Sequence, residues 1–319
     1  MTRVLVTGAS GYLGSWVVAE LVRSGADVRA TVRTDRSEAS LRDDLRRAGL
    51  DAGSVEVVHT SLTSDEGWRD AAAGIEEVHH VAAPMILGTG ADEVVIPARD
   101  GTLRVLGAAR DAGVRRVVMT SSFAAIGYSP KPVRDYTEDD WTDPETPGLA
   151  AYPLAKTVQE RAAWDFLEQE RDAPELVVIN PTWIAGPSLG TEIRSSLDVI
   201  DAMLSGTLTV APPQRFGIVD VRDVAALHLM AMATPAAAGR RYLALADGPT
   251  RTFADVGRIL RDRLGPRAEK VAVALAGDEE PPPLVIHNDR ARHELGFRPR
   301  AVEDTIAETG EDVLRIRSA

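Results

Sequence analysis

Tyr152 and Lys156 stand four residues apart, with Thr120-Ser121-Ser122 some thirty residues upstream. A phenol, an ammonium and a hydroxyl are the parts of a proton-donating device. A free phenol titrates near pH 10, so acid–base work near neutrality calls for a shift of about three units, roughly 4 kcal/mol. A cation one helical turn away supplies part of that shift by favouring the phenolate. A serine hydroxyl can hydrogen-bond a carbonyl oxygen and hold it beside the phenol. The chemistry within reach of this trio is protonation of a carbonyl oxygen as hydride arrives at its carbon. The chain has five tyrosines and three lysines, Lys131, Lys156 and Lys270. Chance would put a lysine four residues after a tyrosine roughly 0.05 times, so the pair carries information.

A hydride needs a donor, and the N-terminus offers a seat for one. Thr7-Gly8-Ala9-Ser10-Gly11-Tyr12-Leu13-Gly14 lies between an apolar run, 3–7, and a stretch, 12–24, that puts Leu13, Val17 and Leu21 on one helical face. Strand, glycine turn and helix are the context a dinucleotide-phosphate site requires. Gly8 permits the tight turn, Gly11 lets backbone approach a pyrophosphate, and Gly14 lets the helix pack on the strand. The helix N-terminus then faces the phosphates. The spacing is G-x-x-G-x-x-G rather than G-x-G-x-x-G. Past the next strand comes Arg33, with Arg36 close behind. A carboxylate there would hold the ribose 2′-hydroxyl of NAD, whereas guanidinium favours a 2′-phosphate. The expectation is NADP(H), with Asp35 as the residue that would argue for NAD.

The elements that position these residues follow from periodicity. Strands are predicted at 3–7, 28–32, 55–59, 77–82, 117–121 and 176–180. Helices are predicted at 12–24, 38–48, 65–73 (opened by Ser64), 92–112 (ended by Gly113) and 150–170. Apolar strands in strict alternation with helices predict an α/β fold, a doubly wound parallel sheet covered on both faces. The helix at 150–170 carries Tyr152 and Lys156 on one face. After Pro181 the pattern loosens. A strand at 217–221 and a helix at 222–233 return to the main domain. A strand at 240–245, a helix at 253–264, a strand at 271–275 and helices at 289–295 and 302–315 form a smaller C-terminal substrate lobe. The expected division is 1–181 with 217–238 for the dinucleotide, and 182–216 with 239–319 for the substrate. The acidic stretch 136–145 reads as a solvated surface connection.

Composition bounds the rest. The 319 residues are 44% hydrophobic and 26% charged, an ordinary globular balance. A net charge of −12 argues against nucleic acid or an acidic membrane surface as partner. The absence of cysteine excludes disulfides, thiolate catalysis and zinc–thiolate sites. No leader-like apolar region and no apolar run of membrane-spanning length is present, so a soluble cytoplasmic protein is expected.

Further motifs run along most of the chain: His80-Val81-Ala82-Ala83-Pro84, Asp100-Gly101-Thr102, Tyr152-Pro153-Leu154-Ala155-Lys156-Thr157, Glu160-Arg161-Ala162-Ala163-Trp164, Asn180-Pro181-Thr182, Gly186-Pro187 and Val219-Asp220-Val221-Arg222-Asp223. With the glycine run and Thr120-Ser121-Ser122 they resemble the extended short-chain dehydrogenases/reductases. The resemblance is greatest to the dihydroflavonol reductase-like branch, with cinnamoyl-CoA reductases and yeast and bacterial aldehyde or ketone reductases. It implies a Rossmann sheet and a catalytic set of Ser122, Tyr152 and Lys156. Ser121 is adjacent, and choosing Ser122 is a matter of alignment by one position. It also implies that Arg33 meets the adenosine phosphate, that Ala82 and Pro84 line the dinucleotide path, and that Pro181 to Ile184 border the nicotinamide. The full expected cofactor set is Gly8, Ser10, Gly11, Tyr12, Leu13, Gly14, Arg33, Arg36, Leu62, Ala82, Ala83, Pro84, Thr120, Pro181, Trp183 and Ile184. Members often carry Asp-Leu after the third strand; here it is Ser61-Leu62, so Leu62 is kept and the carboxylate is not.

The function this implies is NADPH-dependent carbonyl reduction. Sugar-nucleotide dehydratases place an acid pair after the hydroxyl of the fifth strand, and here Phe123-Ala124-Ala125 stands there. An NAD-dependent sugar-nucleotide epimerase or dehydrogenase of the same fold is an alternative, against which Arg33 argues. A non-catalytic NADP-sensing protein would have no need of Tyr152 with Lys156. Gly186-Pro187-Ser188-Leu189-Gly190 matches a hydrolase elbow with His287 and His293 downstream, but Pro187 and the irregular segment do not make one. His79 and His80 are adjacent on a strand and face opposite ways, so no metal site is expected. The expected substrate wall is apolar: Met85, Ile86, Phe123, Trp183, Leu189, Met203 and Leu204. Small uncharged carbonyl compounds are the expected partners; the sequence leaves oligomeric state open.

Overall fold

The structure is a computed structural model that describes residues 2–84, 91–277 and 280–318. Met85 and Ile86, expected in the substrate wall, lie outside the described residues. The first half alternates strictly: β1 (Arg3–Thr7), α1 (Tyr12–Arg23), β2 (Asp27–Val32), α2 (Asp35–Arg47), β3 (Glu56–His59), α3 (Trp68–Ala72), β4 (Glu77–His80), α4 (Ala91–Asp111) and β5 (Arg116–Thr120). A two-residue strand, β6 (Asp135–Tyr136), precedes α5 (Ala151–Gln169) and β7 (Glu175–Pro181). Then come β8 (Trp183–Ala185), α6 (Leu197–Ser205), β9 (Arg215–Phe216), β10 (Ile218–Asp220), α7 (Val221–Ala233) and β11 (Arg240–Ala244). The chain closes with β12 (Arg251–Thr252), α8 (Phe253–Leu264), β13 (Val285–Ile286), α9 (Asp289–Leu295) and α10 (Val302–Arg317).

Seven parallel strands form the central sheet in the order β11-β7-β5-β4-β1-β2-β3. The order runs outward from β1 one way through β2 and β3, and the other way through β4, β5, β7 and β11. The connections therefore diverge between β1 and β4, and a crevice opens at their carboxyl ends. Both faces of the sheet are buried, which is why strands such as Arg116-Val-Val-Met-Thr120 do not alternate. Val17, Leu41, Leu45, Val224 and Leu227 from α1, α2 and α7 cover one face. Trp68, Val105, Leu106 and Ala163 from α3, α4 and α5 cover the other. A second core joins α6, α8 and α10 through Ile200, Met203, Leu260 and Ile306.

Several expectations are corrected. The strand at 240–244 pairs with β7 at the edge of the main sheet, not in the C-terminal lobe, and Ala291 and Phe297 pack into the main core. β10 pairs with β8 in a separate two-stranded sheet. The segment expected as a strand at 271–275 contributes only an isolated bridge, Ala211 to Leu275. α2 starts three residues earlier than expected because Thr34 caps it, accepting a bond from the Ser37 N–H. α3 starts later, because Gly67 takes a left-handed conformation (φ 81°) just before Trp68. The acidic stretch is only partly a solvated connection: Asp139, Asp143 and Glu145 are exposed, but Tyr136, Glu138 and Thr142 are buried.

Candidate active site

The glycine turn is built as its residue types require. Gly8 has φ 68°, and a Cβ there would lie 2.7 Å from the Ala82 Cα, so β1 and the segment after β4 touch backbone to backbone. A Cβ on Gly14 would lie 2.1 Å from the Gly8 carbonyl oxygen. Gly11 is the N-cap of α1 and supplies no side-chain bond, which leaves the first-turn amides without a side-chain acceptor. The Thr7 hydroxyl accepts the Ala82 N–H at 3.1 Å and meets His80 Nδ1 at 2.8 Å. Tyr12 donates to the Gly186 carbonyl (2.6 Å) and Trp16 to that of Pro187 (2.9 Å), so the 186–187 turn is strapped onto α1. Burial, with Asp220 and Asp312 nearby, holds the Tyr12 phenol well above its usual range. Arg194 donates to the Ser10 carbonyl at 2.9 Å.

Arg33 leaves the end of β2, immediately before the Thr34 cap, and is exposed. Arg36 sits in the first turn of α2, 88% exposed, and pairs with Glu192 at 3.0 Å. Leu62 packs under α4, where a Cβ on Gly101 would meet it at 2.7 Å. Ala82, Ala83 and Pro84 follow β4 beside Gly8. Thr120 was expected on the cofactor path, but its hydroxyl is engaged with His228 Nε2 at 2.9 Å. His228 in turn meets His79, at 3.4 Å. Burial holds His79 and His80 down to about 3, so both rings are neutral. His79 and His80 go to different partners, as neighbours on a strand must.

α5 brings the proton-handling groups together. Pro153 is tolerated in its first turn, where no N–H is needed. Tyr152 and Lys156 follow one another along one face. Ser122 ends the β5 segment as the cap of the short turn 123–125, accepting the Ala124 N–H at 3.1 Å. The Tyr152 phenol is held above its ordinary range, chiefly by burial; the nearby Ser122 hydroxyl pulls it down and Tyr128 pushes it up. The residue is 39% exposed, which limits how far desolvation acts. The expected lowering by Lys156 is thus not the balance the protein's own groups strike. Lys156 is 7% exposed, and burial lowers its ammonium to about 8 against the upward pull of Glu160. Ser121 is oriented elsewhere: its hydroxyl donates to Glu160 at 2.5 Å.

The apolar wall is only partly where it was expected. Met203 and Leu204 are 1% and 4% exposed, on the face of α6 that packs against α8 and α10, and belong to the lobe's core. Phe123 is also buried, held edge-on by Tyr128 and Tyr136. Tyr128, which the sequence did not single out, is 52% exposed beside Tyr152. Pro181 ends β7. Trp183 packs edge-on against Phe216 and Phe253, while Ile184 and Leu189 lean on the main core. Ser188 is bound into its loop, accepting from Gly190 at 3.0 Å and donating its own N–H to Asp312 at 2.9 Å. His287 is paired with Asp135 at 2.7 Å, so no hydrolase elbow is assembled. No helix among the described residues is long and apolar enough to cross a membrane.

Comparison with known proteins agrees with this architecture. The model of the NAD dependent epimerase/dehydratase family matches residues 4–244. A cinnamoyl-CoA reductase of Medicago truncatula is 32% identical over 318 residues, covering 97% of this chain and 95% of that protein. A Candida albicans protein whose name describes it provisionally as an NADPH-dependent methylglyoxal reductase is 30% identical, with 96% and 98% covered. Among solved structures, Gre2 of Candida albicans in complex with NADPH superposes with a TM-score of 0.85 at 25% identity, over 99% of both chains.

Proposed function

Given that the chain belongs to the NAD dependent epimerase/dehydratase family, we propose that it is an NADPH-dependent carbonyl reductase of the dihydroflavonol reductase-like branch. The observation that carries this is the convergence of three side chains: Ser122 at the end of β5 is near enough to the Tyr152 phenol to pull its pKa down, and Lys156 stands buried one turn further along α5. The relatives named above support the same chemistry. An epimerase would share the fold, but this chain's reductase relatives and the exposed Arg33 past the end of β2 favour an NADPH-dependent reductase. The proposed division of labour gives the β1–β7 sheet with β11 to the dinucleotide, and α6, α8 and α10 to the substrate lobe.

The chain's residues fit NADPH. The cap at Gly11 leaves first-turn amides pointing where phosphates would sit, and Gly8 and Gly14 have no room for side chains. Arg33 and Arg36 would hold the 2′-phosphate, with Ala82 to Pro84 and Pro181 to Ile184 along the rest of the path. When bound, the cofactor supplies a hydride to the carbonyl carbon. Tyr152 gives its phenolic proton to the carbonyl oxygen. A phenol held above its ordinary range is fully protonated at neutral pH, as a donor in the reductive direction must be. Ser122 donates a hydrogen bond to the same oxygen and aligns it. Lys156, as an ammonium, stabilises the phenolate that remains.

The substrate class we propose is uncharged aldehydes and ketones. Arg194 is engaged with Ser10, Ser40 and Glu192, so it offers no spare cation to a diphosphate, whose burial unpaired would be costly. The test is a panel of aliphatic and aryl carbonyls followed by loss of NADPH absorbance. Turnover on several of them is expected. Activity confined to nucleotide sugars or CoA esters would contradict the substrate class.

A further inference from the structure

Further along the catalytic face of α5 lies a carboxylate that the reaction as described does not use. Glu160 is one turn beyond Lys156 and two beyond Tyr152, and it is fully buried. Burying a carboxylate is expensive unless it is paired and its lone pairs are filled. Glu160 is filled by four donors. One oxygen accepts the Ser121 hydroxyl (2.5 Å) and the Asn180 amide (2.7 Å). The other accepts Arg241 Nε at 2.6 Å, across 81 residues of chain, and the Trp164 indole at 3.4 Å. Asn180 also donates to the Ser122 carbonyl at 3.2 Å. Arg241, itself buried on β11, donates onward to the carbonyls of Glu138 (2.7 Å) and Asp140 (2.8 Å) and lies 3.7 Å over the Trp141 ring.

Three pieces of the fold therefore converge on one side chain, the end of β5 that carries Ser122, the end of β7 and the edge strand β11, and Arg241 links it onward to the 138–141 loop. α5, which carries Tyr152 and Lys156, owns that side chain. We propose that Glu160 is a positioning residue for carbonyl reduction, setting Ser122 against Tyr152 by holding Ser121 and Asn180, and clamping the 138–141 loop through Arg241. This rests on the reductase reading above and extends it to a residue that touches neither substrate nor cofactor. A purely structural ion pair would be satisfied by Arg241 alone. Here the second oxygen is spent on the residue adjoining the catalytic serine and on the amide that holds that serine's carbonyl. The charge also reaches Lys156, whose ammonium it favours. The other titratable groups near Lys156 are Tyr152 on its own helix and His80 on β4, the latter neutral.

The test compares wild type with Glu160→Gln, Ser121→Ala and the pair Glu160→Gln/Arg241→Gln, which removes the guanidinium that the single change would strand. NADPH affinity is read by fluorescence, kcat and KM on one carbonyl, and kcat against pH. NADPH affinity and KM should change little in all three. In Glu160→Gln kcat should fall on the order of ten- to a hundredfold. Its alkaline decline should begin at lower pH than in wild type, because an ammonium without Glu160 deprotonates sooner. Ser121→Ala should lose kcat by a smaller factor with the pH profile unmoved. A Glu160→Gln protein that binds NADPH and keeps the wild-type kcat and pH profile would overturn the proposal. If Glu160→Gln does not fold, wild-type kcat in the paired variant or in Ser121→Ala overturns it equally. A wild type inactive on every carbonyl would sink the reductase reading itself, whereas an active wild type with unaffected variants would sink only Glu160.

Discussion

Raising the pH should switch this protein off at Lys156, well before the Tyr152 phenol titrates. Burial lowers the Lys156 ammonium from 10.5 to about 8. That displacement corresponds to about 3 kcal/mol of disfavoured charge, a large effect for a side chain only 7% exposed. With a value near 8, roughly 90% of the protein carries the ammonium at pH 7 and roughly 10% at pH 9. Tyr152 moves the other way, upward from 10, so it stays a proton donor through the same interval. If the ammonium is what stabilises the phenolate left after proton transfer, kcat should be level from pH 6 to 7.5 and then fall about tenfold per unit above pH 8. The assay is kcat at saturating NADPH and carbonyl from pH 6 to 10, repeated on Lys156→Arg. Guanidinium remains charged across that range, so the variant should be slower at pH 7 and yet lack the alkaline decline. A wild-type kcat that stays level to pH 9.5, or a decline that persists unchanged in Lys156→Arg, would refute the assignment.

Two further outcomes follow from single residues. Arg33→Ala should weaken NADPH by roughly ten- to a hundredfold and NADH far less, the usual value of one charge-assisted bond to phosphate; equal losses for both, by fluorescence titration, would remove Arg33 from cofactor choice. Asp44 is buried on α2 beside Gly190, and desolvation raises its carboxyl to about 6. A carboxyl raised on folding is bound more tightly by protons in the native state, so stability should fall as pH rises from about 4 to 6. Asp44→Asn should abolish that dependence and gain up to about 3 kcal/mol at pH 7; a denaturation midpoint below wild type at pH 7 would contradict it.

Much of the site was legible because its signals are local. Gly8, Gly11 and Gly14 mark one turn, and Tyr152 and Lys156 one helix face, so spacing alone places them. Strict alternation up to β7 gave the parallel sheet. What escaped depended on partners far along the chain. Met203 and Leu204 look like pocket residues until α8 and α10 close over them. β11 reads like part of the lobe until its register with β7 is seen. The acidic loop reads as solvated because nothing nearby announces that Arg241 will lie over Trp141 and bond the backbone at Glu138 and Asp140. Glu160 was visible only as a letter in a motif; its role needed Ser121, Asn180 and Arg241 in space. The early start of α2 was within reach, since Thr34 with Ser37 is a local cap.

The central claim is that Tyr152 delivers the proton. Tyr152→Phe removes one oxygen and keeps the ring. NADPH binding, followed by fluorescence, should stay near wild type, because the glycine seat and Arg33 are untouched. Turnover on the best carbonyl should fall by about a hundred- to ten-thousandfold, the range a positioned general acid contributes. A Tyr152→Phe protein that binds NADPH and reduces the carbonyl at close to the wild-type rate would contradict the mechanism outright.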